Sequence, residues 1–124
     1  MAFIDANAFS TTMRDWYSGV AMVFNNNGTY RKTGAGTTSL EVVFHNTGTV
    51  DVQTGVLALA RGGSAGADGE LAITDGATLR LAAGSFALAD TVVTGTGTLE
   101  VAGAFDSTTT ATHTGTTALA GQLL

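Results

Sequence analysis

Thr47-Gly48-Thr49-Val50-Asp51-Val52-Gln53-Thr54-Gly55-Val56-Leu57-Ala58-Leu59 holds two copies of one short unit, a polar residue and a glycine followed by a strand in which every second residue is a large apolar one. Glycine, Asn and Asp supply the unusual backbone angles of a corner, and alternation with period two is the pattern of a strand with one buried face. The unit recurs downstream as Gly69-Glu70-Leu71-Ala72-Ile73, Asp75-Gly76-Ala77-Thr78-Leu79-Arg80-Leu81, Ala83-Gly84-Ser85-Phe86-Ala87-Leu88 and Thr96-Gly97-Thr98-Leu99-Glu100-Val101, and upstream at Asn27-Gly28-Thr29-Tyr30. Strands this short have no stability alone and need lateral partners.

The spacing of the corners says how the partners are found. Gly34, Gly55, Gly76 and Gly97 are evenly spaced, and Gly48, Gly69 and Asp90 form a second ladder with the same step, followed in register by Val50, Leu71 and Val92. The step is a period of about 21 residues, and a fixed period of that size built from several short strands predicts a solenoid, whose equivalent strands pair in parallel from coil to coil. The expectation is an all-β, right-handed parallel β-helix of about four coils, the hand following from the preference of parallel crossovers. A sandwich of antiparallel hairpins is the alternative, and it would not require the register. Leu79 and Leu81 fall one position late relative to Leu57 and Leu59, and residues 60–67 read as a loop or a bulging corner.

The chain divides into residues 1–23, an N-terminal cap or subunit-contact segment; residues 24–106, the solenoid; and residues 107–124, a Thr-rich C-terminal strand or tail. Ser10 or Thr11 could cap a short helix in the first segment. That segment also carries Phe3, Trp16 and Tyr17, which with Tyr30 are the candidate contacts for another subunit or a ligand.

With 124 residues, 12% of them charged, 17 Gly, no Pro and no Cys, the chain is one foldable domain in which Thr, Ala and Gly replace charge. A formal net charge of −5 would repel a phosphate backbone, so nucleic acid is not an expected partner. No apolar run reaches the ~18 residues of a membrane span. No basic leader with an apolar core opens the chain, so a secretory signal is not expected.

Residues 24–105, with FNNNGTYRKTGAGTTSLEVVFHNTGTVDVQTGVLALARGG, GELAITDGATLRLAAGSFAL and GTGTLEVAGAF, resemble the Gly/Asn/Thr-rich repeats of filamentous-haemagglutinin-like and autotransporter-like bacterial surface proteins. The resemblance implies a right-handed parallel β-helix and an adhesive role at a cell surface. The short length and missing leader point instead to a small polymerising subunit or a virus (phage) structural protein.

Parallel β-helices also host polysaccharide-cleaving enzymes that use carboxylates from neighbouring coils. Asp51, Asp75 and Glu70 are available, but Glu41, Asp51, Glu100 and Arg80 fall at outward positions, where solvated surface charge is the default. The basic residues Arg14, Arg31, Lys32, Arg61 and Arg80 form no cluster with the acids in the repeat frame. The segment from Gly62 to Leu71 departs from the calcium-binding nonapeptide pattern by one residue and occurs once, which suits a flexible glycine-rich loop better. His45 and His113 lack partners at metal spacing, and Asn27-Gly28-Thr29 fits a glycosylation pattern relevant only to a eukaryotic secretory setting.

The sequence therefore predicts no enzyme, catalytic residue, cofactor or metal. It predicts a self-assembling structural subunit of an extracellular fibre, a cell surface or a virion, whose partner is itself, other surface or virion proteins, or carbohydrate. A carbohydrate-binding or adhesive module, using Trp16, Tyr17 and Tyr30, is the second reading.

Overall fold

A chain of four-residue strands can double back on itself or keep turning the same way. Only continued turning brings the equivalent residues of successive repeats into contact. The computed structural model describes residues 2–6, 9–14, 22–66, 69–88, 91–102, 104–107, 116–119 and 122–123, and among these every paired strand is parallel.

The first coil carries β1 (Ala2–Asp5), β2 (Thr11–Arg14) and β3 (Val23–Asn26), and the second β4 (Thr29–Lys32), β5 (Thr37–Glu41) and β6 (Val43–Asn46). The third carries β7 (Thr49–Val52), β8 (Val56–Leu59) and β9 (Gly63–Ala65); the fourth β10 (Glu70–Ile73), β11 (Thr78–Leu81) and β12 (Ser85–Leu88). Next come β13 (Val92–Thr94), β14 (Thr98–Val101) and β15 (Ala104–Ser107), then β16 (Thr116–Leu119) and β17 (Gln122–Leu123). Three sheets result, ordered β1-β4-β7-β10-β13, β2-β5-β8-β11-β14-β16 and β3-β6-β9-β12-β15-β17. The fold is an all-β parallel β-solenoid of about four full turns, from β4 to β15, flanked by strands at both ends.

Coil length varies around the mean period without breaking register. Tyr30, Val50, Leu71 and Val93 form one inward column, and Thr38, Leu57, Leu79 and Leu99 another. Leu57 and Leu79 pair directly, so the late position of Leu79 is absorbed in the corner around Gly76 and returned before Leu99. Val92 is corrected by one: Val93 takes the buried place above Leu71, while Val92 pairs with Glu70 and is 51% exposed.

Two further expectations are corrected. Thr11–Arg14 is a strand paired with β5, and no helix occurs among the described residues, so Ser10 and Thr11 cap nothing helical. Thr11, Thr12 and Met13 alternate in exposure as a strand on an existing sheet edge must, and that edge outweighs a weak local helix signal. Residues 60–67 contain β9, paired on both sides, rather than a loop. Gly63 lies between the fully buried Phe44 and Phe86 at φ 142°, and a Cβ there would overlap the Phe44 carbonyl oxygen, so the strand needs a residue with no side chain.

The core is a set of stacked columns, Val52 and Ile73, then Leu40, Leu59, Leu81 and Val101, and on the third sheet Phe44, Gly63 and Phe86 beside Ala65 and Leu88. Toward the first coil it becomes aromatic, Phe24 stacking on Phe44 at 5.2 Å between ring centres and both meeting Tyr30 edge-on. Each fully buried aliphatic side chain contributes roughly 1.5–3 kcal/mol. Leu79→Ala should lower unfolding free energy by about 2–5 kcal/mol, and Gly63→Ala by more than about 1 kcal/mol, both read from urea midpoints.

Candidate functional site

The outer faces carry charge in pairs, one coil apart. Arg14 faces Glu41 (3.2 Å), Arg31 faces Asp51 (3.0 Å) and Arg80 faces Glu100 (3.2 Å), and each couple occupies directly paired positions on neighbouring strands. The repeat frame alone predicts that the basic residues form no cluster with the acids; three arginines do each meet a single carboxylate, because the step from one coil to the next differs from turn to turn and brings each couple into register. Arg80 Nε is close to Glu100 but off-line for a hydrogen bond, so charge rather than hydrogen bonding holds that pair. Half-exposed pairs of this kind contribute about 0.2–1 kcal/mol each and help to fix register. A double-mutant cycle on Arg31→Ala and Asp51→Ala should give a coupling of about 0.2–1 kcal/mol that shrinks as salt is raised.

The candidate acids are otherwise engaged. Asp51 also accepts a hydrogen bond from Gln53 Nε2 (2.9 Å), Glu70 accepts one from Thr94 Oγ1 (3.1 Å), and Asp75 stands exposed at a corner. Asp51 and Glu70 share one sheet face on adjacent strands, offset by two residues, and Asp75 is not with them. Among the described residues no three His, Cys, Asp or Glu side chains gather as a metal site. His45 Nδ1 lies 2.7 Å from Ser64 Oγ, its paired neighbour on the next coil; His113 lies outside the described residues.

Compared with known proteins, the chain matches no family model, no curated protein and no solved structure. The likeness of residues 24–105 to adhesin repeats stands as a likeness of architecture, a β-solenoid of about four turns, and no family is identified.

The most distinctive chemistry is inside the solenoid, between its first two coils. Tyr30 is 1% exposed, so this candidate contact belongs to the core. Its hydroxyl donates to Asp5 Oδ2 at 3.0 Å, and Thr38 Oγ1 donates to the same oxygen. The Asp5 carbonyl accepts from Thr33 N and Gly34 N at 2.7 and 3.1 Å, fixing the corner after β4. Lys32, paired with Asp5 across the strands, is fully buried and donates from Nζ to the Gly34 carbonyl at 2.8 Å. A cavity of about 170 Å³ opens beside this group, lined by Asp5, Thr11, Thr12, Met13, Tyr30, Thr38 and Leu40. At the neighbouring edge Asn26 and Asn46 stack, Asn26 Nδ2 donating to Asn46 Oδ1 at 2.8 Å while Asn46 Nδ2 donates to the Gly48 carbonyl at 2.9 Å, so buried amides satisfy corner groups.

Of the remaining candidate contacts, Phe3 lies on β1, paired with Tyr30, and Trp16 and Tyr17 lie outside the described residues. The signal for the polar interior is visible in alignment: Lys32 holds the place that Val52 and Ile73 hold in later coils, and Thr38 that of Leu57 and Leu79.

Burial, followed by the charge of Asp5 and its hydrogen bond, pushes the Tyr30 phenol well above its ordinary value. Below about pH 10 the phenol is protonated folded and unfolded alike, and its contribution to stability is complete. Above that the unfolded chain loses the proton while the folded chain keeps it, so stability falls as pH rises. Between about pH 10 and 11.5, wild type should lose up to about 1.4 kcal/mol per pH unit more than Tyr30→Phe in urea melts.

Proposed function

We propose that this protein is a non-enzymatic structural subunit whose solenoids stack end to end into a fibre or filament, at a cell surface, outside a cell or in a virus (phage) particle. Its principal partner is a second copy of itself. The observation that carries the reading is where apolar surface is left uncovered. Among the described residues the exposed large hydrophobic side chains are Ile4, Phe9, Met22 and Val23 on the first coil and Val92 on β13, the last strand of its sheet. None lies on the second, third or fourth coil.

Backbone chemistry supports the same reading. The terminal strands of a parallel stack present donors and acceptors to whatever lies beyond, and a further coil with the same three faces and strand direction is the natural complement. Paired charges along the sides keep them hydrated and discourage lateral sheet pairing, leaving the ends as the route of growth.

Electron microscopy of the purified chain tests this. Wild type should form filaments whose axial repeat is a multiple of about 4.8 Å, and Ile4→Lys with Phe9→Lys should leave single particles with unchanged β-sheet circular dichroism. Wild-type protein that stays monomeric at high concentration, or a double variant that still polymerises, would overturn the proposal.

A further inference from the structure

The repeated coils act as their own control for what the interior should contain. In the middle coils the inward columns are apolar: Val50 and Leu71, Val52 and Ile73, Leu57 and Leu79, Leu59 and Leu81. Two of these four columns turn polar in the first two coils, one holding Asp5 and Lys32 and the other Thr11 and Thr38, while the other two keep Tyr30 and the pair Met13 and Leu40. These polar groups are not solvated as the end of a stack could be. Asp5 is 3% exposed, Thr38 5% and Lys32 fully buried. Burying a carboxylate and an ammonium where aliphatic side chains serve elsewhere costs stability, and the change coincides with a cavity that Asp5 and Thr38 line.

From this coincidence we infer that the cavity between the first two coils is a binding site for a neutral, polyhydroxylated six-membered ring, the chemistry of a single pyranose unit. Size limits the occupant to one small ring, since an enclosed cavity of about 150 Å³ takes benzene and this one, open on one side, measures about 170 Å³. Charge limits it further. Asp5 and Lys32 occupy directly paired positions and their formal charges cancel, so the site calls for neither a cation nor an anion. The Asp5 carboxylate accepts hydrogen bonds, and so can Thr38 Oγ1, whose own proton goes to Asp5, and Thr11 Oγ1, which lies 3.4 Å from Thr38 Oγ1, while the exposed Thr12 hydroxyl can both donate and accept, which suits ligand hydroxyls that mostly donate. Met13 and Leu40 supply an apolar wall for the C–H face of a ring. This site is independent of end-to-end stacking and does not use Trp16 or Tyr17.

The test is an amide-resolved NMR titration of the full chain with D-glucose, D-galactose and D-mannose, with methylammonium chloride as a cationic probe. At least one hexose should give saturable shifts centred on Thr11, Thr12, Met13, Thr38 and Leu40. Thr12→Val, at an exposed position, should weaken that binding about tenfold without moving the melting temperature, and Thr38→Val should weaken it while lowering the melting temperature, because it also removes a hydrogen bond to the buried Asp5 carboxylate. Absence of saturable shifts with all three sugars would mean a pocket that holds water only and would overturn the inference. So would shifts at these residues with methylammonium alone, or hexose affinity unchanged in both variants.

Discussion

Backbone hydrogen bonding between one coil and the next is the constraint on which everything else depends. A four-residue strand cannot satisfy its own donors and acceptors, and here each strand from β4 to β12 pairs with one above and one below. Thr49 N donates to the Gly28 carbonyl, Glu70 N to that of Gly48 and Thr98 N to that of Ala77, so even the corners are tied along the stack. Because the bonds run along the solenoid axis, side chains in one column touch their equivalents, and Leu packs on Leu without any long-range search. The outer columns follow from the same alignment, and three arginines meet three carboxylates one coil away.

Along the sides of the solenoid polar groups are paired with one another. The flanks carry paired charges and hydrogen-bonded polar residues such as His45 with Ser64. The large apolar residues that remain exposed among those described lie on the first coil and on β13. The first two coils differ from the rest in their interior as well, where a carboxylate, a lysine and threonine hydroxyls replace aliphatic columns around a cavity. One end of the solenoid therefore combines exposed apolar side chains with a cavity lined in part by polar groups.

The solenoid was legible in the sequence because its turns need Gly, Asn or Asp and its columns need alternation, and both recur once per coil. Register was legible only to within one residue. Coils of unequal length place Val93 rather than Val92 over Leu71, and a ladder of glycines cannot reveal which corner absorbs the extra residue. Gly63 hid a strand, since a glycine chosen because its Cβ would overlap Phe44 reads like a loop. The first coil escaped because its steps are long: Asp5 meets Lys32 and Thr11 meets Thr38, each pair farther apart in sequence than the strand partners of the later coils. The polar cluster was hidden with it, although Lys32 in the place of Val52 marked the position.

The central claim, parallel coils in this register, is tested most directly by disulfide capture in a chain that has no native cysteine to compete. Ser64 and Ala87 are paired positions on β9 and β12, and parallel neighbours at about 4.8 Å fall within the Cα separation that a disulfide bridges. The double variant Ser64→Cys with Ala87→Cys should oxidise rapidly to an intramolecular bridge while Ser64→Cys with Thr78→Cys, on different sheets, should not. Failure of the first pair to bridge in folded protein, or equal bridging of the second, would contradict the account.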